Sequence, residues 1–134
     1  MELKIINKLS ELDRVAEFLE DFGERNGIPG TVIFEINLSI DELVTNTINY
    51  GFQDDNEHFI SILPEKKGNI VSVELKDDGI EFNPFAKPDP DITLPLEEKP
   101  IGGLGIYFVK LKMDDWAYTR KDNLNIIQLK KSFN

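Results

Sequence analysis

The sequence predicts an α+β fold, a two-layer sandwich with a mixed, mostly antiparallel sheet and about three helices on one face. Three observations predict it. Two consecutive stretches near the N-terminus carry apolar residues at helical spacing. Two pairs of alternating segments flank short turn sequences, as hairpins do. A glycine-rich entry opens a third helical stretch late in the chain. The resulting order is β-α-α-β-β-loop-α-β-β.

"ELKIINK" alternates and reads as a short strand. Ser10 is placed to cap a helix from Glu11 to about Arg25, whose Val15, Phe18, Leu19 and Phe22 share one face. "NGIPG" breaks that helix. A second runs from about Thr31 to Tyr50 and stops at Gly51. "HFISILPEKKGNIVSVELKDDG" reads as a hairpin, with strands at 58–64 and 70–76 and a turn at Lys66–Asn69. Residues 79–101 are different, holding five of the seven prolines and no clear period. A loop of that length inside a compact domain is usually functional or disordered. "GGLGIYFVKLKM" then enters a helix, and "DDWAYTRK" and "LNIIQLKKSF" close a second hairpin around Asp122–Asn123. No repeat or linker divides the 134 residues, which are expected to form one domain.

Composition removes several function classes. The net charge is −10, with basic pairs only at 66–67 and 130–131, so nucleic acid is not an expected partner. No apolar run approaches the roughly 18 residues of a membrane span, and the N-terminus lacks a basic-then-apolar signal pattern. Without cysteine there is no disulfide, thiolate metal site or cysteine nucleophile. The single histidine, His58, excludes a multi-histidine metal site and is expected at the surface or a strand edge. Together these point to a cytoplasmic protein.

Three motifs carry chemistry. In "IDELVTNTINYGF" the helical period puts Ile33, Ile36, Ile40, Leu43, Val44, Thr47 and Ile48 on one side and Glu35, Glu42, Asn46 and Asn49 on the other. That polar side is either a solvated face or the floor of a site. Glu42 and Asn46 stack four residues apart; a carboxylate there can take a proton, and the amide oxygen can ligate Mg²⁺. In "LKDDGIEFNP", Asp77 leaves a strand beside Gly79. This is either an Asp-Gly turn or a carboxylate that reads a ligand amine next to a glycine allowing close approach. In "GGLG", residues 102–105, glycines precede a helix N-terminus, either as a plain loop or as an anion site of free N–H groups. The pattern is not that of a P-loop or a dinucleotide-binding turn.

The order of these motifs resembles a known family. "ELVTN" on a helix, "DDGIEF" after a hairpin strand, a long proline-rich loop and "GGLGI" opening a helix are similar to the N, G1 and G2 boxes of the GHKL (Bergerat-fold) ATPases. The run "EFNPFAKPDPDITLPLEEKPIGGLGIYFVK" resembles one branch, the stand-alone bacterial anti-sigma-factor serine/threonine kinases. The resemblance implies Mg-ATP binding and phosphorylation of a STAS-domain anti-anti-sigma partner, with a sigma factor as a second partner and a homodimer as the assembly. Residue by residue it implies Glu42 as general base, Asn46 as Mg²⁺ ligand and Asp77, beside Gly79, as reader of the adenine amine. It implies Gly102, Gly103, Leu104, Gly105 and Ile106 as the phosphate turn, and residues 80–101 as the ATP lid. Three positions depart from the family pattern: Glu81 and Ile101 stand where glycine is usual, and Asn49 where a cation usually contacts phosphate. Lys99 is the candidate replacement for that cation. Asn49 and Ile101 also support an alternative, a non-catalytic nucleotide-binding switch that sequesters a protein partner.

Overall fold

The structure, a computed structural model, describes residues 1–86 and 104–134. Strand β1 (Leu3–Ile6) leads through a 3-10 turn at Leu9–Glu11 into α1 (Leu12–Arg25) and α2 (Gly30–Tyr50). Strands β2 (Phe59–Lys67) and β3 (Ile70–Asp77) follow, then α3 (Leu104–Lys112), β4 (Asp115–Lys121) and β5 (Leu124–Ser132). The element order is the one the sequence predicts. The sheet runs β1-β2-β3-β5-β4, and its four pairings are all antiparallel. The expected parallel component is therefore missing among the described residues. Two-residue turns join β2 to β3 and β4 to β5, and such turns admit only antiparallel neighbours.

The helices cover one face of the sheet through the predicted stripes. Val15, Leu19 and Phe22 of α1 are buried, as are Ile33, Ile36, Ile40, Leu43 and Val44 of α2. They share one core with Ile60, Ile62, Val71, Val73, Leu75, Ile127 and Leu129 from the sheet. Each such side chain contributes about 1.5–3 kcal/mol when fully buried. No described helix is long and apolar enough to cross a membrane.

Several local expectations are corrected. Ser10 does not cap α1; it lies inside the 3-10 turn, and α1 begins without a side-chain cap. The Glu11 carboxylate instead ties β1 to this turn, accepting the Ile6 N–H at 3.1 Å and pairing with Arg14 at 3.2 Å. Strand β2 extends to Lys67, so the first hairpin closes on Gly68 and Asn69 rather than over 66–69. The second hairpin turns as expected at Asp122 and Asn123, both at positive φ (54° and 62°), the backbone that a two-residue hairpin requires. Glu35 does not share a site with Glu42. Its carboxylate pairs with Lys131 at 3.0 Å and Lys112 at 3.6 Å, tying α2 to α3 and β5. The Lys131 hydrogen bond is the main reason its carboxyl lies below the usual range.

Candidate functional site

The alternation of β3 puts Val71, Val73, Leu75 and Asp77 on the same inward parity. Asp77 is thus a carboxylate on the core face, only 7% exposed. Its Oδ1 accepts the Gly79 N–H at 2.9 Å and the Asn125 amide at 3.1 Å. Burial pushes the Asp77 carboxyl up, while those two hydrogen bonds and the Arg120 charge oppose it and neighbouring Asp78 adds to it. Gly79 packs against the Gly51 carbonyl so closely that a Cβ there would collide with it. The same carbonyl accepts the Ile80 N–H at 2.8 Å, which fastens the turn after β3 to the end of α2.

Asn46 borders the same cleft from α2, together with Leu43, Thr47 and Gly51, opposite Asp77, Asn125 and Ile127. Its Nδ2 donates to Glu42 Oε1 at 3.4 Å, so the helix places the two groups side by side as the four-residue spacing requires. That donation leaves Asn46 Oδ1, a hard oxygen, for another partner. Beyond Glu42 comes the first turn of α3, where a Cβ on Gly105 would fall on the Glu42 carboxylate. Gly105 is therefore the seat of that carboxylate. Leu104 opens α3. Ile106, partly buried, packs against the core. Asn49 is exposed and is not part of the cleft lining. Lys99, Gly102, Gly103 and Ile101 lie outside the described residues, as do residues 87–101 of the expected lid.

The first residues of that lid are described. Asn83 closes an Asx turn by accepting the Phe85 N–H at 2.9 Å, and the Phe85 ring lies 6.4 Å from that of Trp116. Phe82 and Pro84 then cover the cleft, leaving about 10 Å³, room for about one water. A larger recess of about 380 Å³ lies between α1 and α2, but none of the three motifs contributes to it.

Sequence reasoning missed three residues of the site. Asn125, paired opposite Asp77 in the ladder, is 4% exposed, and Tyr118 and Arg120 bond to it from β4. A signal existed: Asn125 has the inward parity of Ile127 and Leu129, where a polar residue needs a reason. His58 lies at the edge of β2, as expected, and is partly buried. Its ring stacks on Phe52 at 4.4 Å, with Nε2 2.7 Å from Asp54 and Nδ1 3.0 Å from Asp78. The Asp54 hydrogen bond is the main cause of its raised pKa.

A buried carboxylate at a strand end, with a helical Glu-Asn pair and a glycine-seated helix across a cleft, has relatives. The model of the histidine kinase-like ATPase domain family matches residues 5–131. The chain belongs to that family. The serine-protein kinases RsbW of Bacillus cereus (strain AH820), Bacillus anthracis (strain A0248) and Bacillus thuringiensis (strain Al Hakam) are each 25% identical over 134 residues, covering 97% of this chain and 83% of theirs. A solved histidine kinase domain, from the blue-light activated histidine kinase of Erythrobacter litoralis EL346, superposes with a TM-score of 0.54 at 16% identity. That match covers 92% of this chain and 60% of the other, and supports the fold alone. Within the histidine kinase-like ATPase domain family this chain thus has the helical layer on an antiparallel sheet.

Proposed function

We propose that this chain is an ATP-dependent serine/threonine protein kinase of the anti-sigma-factor type. Residues 1–134 act as one histidine kinase-like ATP-binding domain, with residues 80–101 as its lid. Its substrate is the hydroxyl of a STAS-domain anti-anti-sigma partner, a sigma factor is its second partner, it works as a homodimer, and its compartment is the cytoplasm. The identity to the RsbW serine-protein kinases supports this reading. The observation that carries it is the placement of Glu42, half-buried, beside Asn46 and against Gly105 at the start of α3.

Each residue has a role in this scheme. Asp77 accepts a hydrogen bond from the adenine amine, and Gly79 lets the base approach the backbone. Asn46 fits a Mg²⁺ through Oδ1, since its Nδ2 is committed to Glu42. No cluster of three or more acidic, histidine or cysteine side chains that could hold a metal exists among the described residues. This suits an ion that takes most of its ligands from phosphate and water. When bound, Mg²⁺ neutralises charge on the phosphoryl group in transfer. Gly102, Gly103, Leu104 and Gly105 offer backbone N–H groups to the phosphates, with Lys99 as the accompanying cation. Glu42 takes the proton of the partner's hydroxyl as the new O–P bond forms and the bond to the ADP oxygen breaks.

The test is incubation with γ-labelled ATP, Mg²⁺ and a STAS-domain protein encoded beside this chain's gene. Label on a serine or threonine of that protein is the expected result. Tight ATP binding with no transfer to any STAS-domain partner would replace the kinase by the nucleotide-binding switch.

A further inference from the structure

The β4–β5 hairpin supplies groups to the Asp77 end that none of the sequence motifs contains. Asn125 is buried with every hydrogen-bonding position in use. Its Nδ2 donates to Asp77 Oδ1 at 3.1 Å and to the Ile80 carbonyl at 2.7 Å. Its Oδ1 accepts from the Tyr118 hydroxyl at 2.6 Å, the Arg120 guanidinium at 3.1 Å and the Phe82 N–H at 3.3 Å. The guanidinium and the backbone N–H have no acceptor capacity. They fix the amide with oxygen toward β4 and nitrogen toward Asp77. The reverse orientation would set an amide oxygen against a carboxylate and two donors against an NH₂ group. Arg120 also donates to the Gly79 carbonyl at 2.8 Å, so the same lattice holds the turn on which the base would rest.

We propose that Asn125, oriented by Tyr118 and Arg120, is a positioning residue that aims Asp77 at the amine of the nucleotide base and so sets the preference for adenine. The lattice occupies Oδ1 of Asp77 with two donors, and no described group donates to Oδ2. Oδ2 is thus the oxygen left for the ligand. Without Asn125 the carboxylate loses its neighbour and rotates, and its second oxygen is no longer directed. A site that hydrogen-bonds a ligand N–H rejects analogues lacking it only while the acceptor is held in place.

This inference rests on the nucleotide reading, and the test separates the two. ATP and inosine triphosphate differ at the amine that Asp77 would read, which inosine triphosphate replaces with a carbonyl. Calorimetric titration of each, with Mg²⁺, into the whole protein gives their affinity ratio. The wild type should prefer ATP by about tenfold or more, the loss expected when buried polar groups are left unpaired. Asn125→Ala should lower ATP affinity about tenfold and leave inosine triphosphate within about twofold, so that the ratio collapses. Tyr118→Phe removes one donor and keeps the ring, and should lower ATP affinity about threefold while leaving inosine triphosphate unchanged, so that the ratio falls; it decides the matter if Asn125→Ala does not fold. Equal losses for both nucleotides, or an unchanged ratio in a folded variant, would reduce Asn125 to a structural residue. A wild type that binds ATP without preferring it would remove the role of Asp77 and that of Asn125 together.

Discussion

The two ends of the cleft are built differently. At the Asp77 end a buried carboxylate, a saturated amide, a tyrosine, an arginine and a glycine turn form one continuous lattice. At the Glu42 end, among the described residues, one 3.4 Å hydrogen bond joins two half-buried side chains, and a glycine seats the carboxylate. The first end is on the sheet, where ladder register locks neighbours together. The second is on a helix surface, where groups have room to turn. Recognition of a base needs donors and acceptors fixed in advance. A proton acceptor must meet a hydroxyl brought by another protein, and it gains its last contacts only when that hydroxyl arrives. Under the proposed function the difference makes nucleotide binding and transfer separable, and variants at the two ends test that separation.

Among variants that leave Glu42 itself in place, the largest effect is expected at Gly105. Gly105→Ala adds a methyl where the Glu42 carboxylate lies, and the flexible carboxylate yields. Alanine is the better helix former by about 0.5–1 kcal/mol, so the melting temperature should hold or rise. Phosphoryl transfer should nonetheless drop about 10²-fold, the scale set by a displacement of about 1 Å at a reacting group. An unchanged rate would mean that Gly105 does not seat the group that matters.

Asp77→Asn comes next and acts at the other end. The asparagine oxygen can keep both existing hydrogen bonds, which turns an NH₂ group toward the cleft. ATP affinity should fall about tenfold, since a donor then faces a donor. Stability should not fall with it. The Asp77 carboxyl is raised in the fold, so its ionised form costs stability; that cost is absent below the unfolded value near 3.8 and complete above the folded one. Removing the charge should therefore leave the melting temperature at pH 7 equal or higher. A marked drop would mean that Asp77 is there for the fold.

How much of this was legible in the sequence depends on what kind of regularity carried it. The inward stripe of α2 and the pairing of Glu42 with Asn46 follow from helical period alone, and the structure keeps both. Asp77 was legible as a carboxylate at a strand end, because β3 alternates without interruption. Asn125 showed only as a polar residue on an inward position of β5; its meeting with Tyr118 and Arg120 was not legible, since it depends on register, Arg120 opposite Asn125 and Asn125 opposite Asp77. Register across strands 48 residues apart leaves no local trace. The Ser10 cap failed because residues 9–11 form a 3-10 turn that takes Ser10 out of the N-cap position. His58 looked unremarkable because its partners, Asp54 and Asp78, come from different segments.

Two smaller effects mark positions that belong to neither end. Glu35→Gln should lower stability by about 1 kcal/mol by weakening a partly exposed pair of lysine contacts, with transfer and nucleotide affinity unchanged. A fall in transfer would extend the site along α2. The smallest effect is at His58, which needs a proton to donate to both carboxylates. Its folded pKa lies above 6.5, so its stabilisation is full below that value and is lost as pH rises through the folded one. Melting temperatures from pH 6 to pH 9 should decline more in the wild type than in His58→Gln, and equal slopes would remove the His58 clamp.

The most direct measurement of the central claim is single-turnover transfer by Glu42→Gln, made beside Mg-ATP titration of the same variant. Glutamine keeps the shape and the contact with Asn46 but cannot take a proton. The rate of labelling of the STAS-domain partner should fall by about 10²–10⁴, with ATP affinity within about twofold of the wild type. Transfer at the wild-type rate, or a loss of ATP binding that matches the loss of transfer, would contradict the assignment of Glu42 as the base and the separation of the two ends.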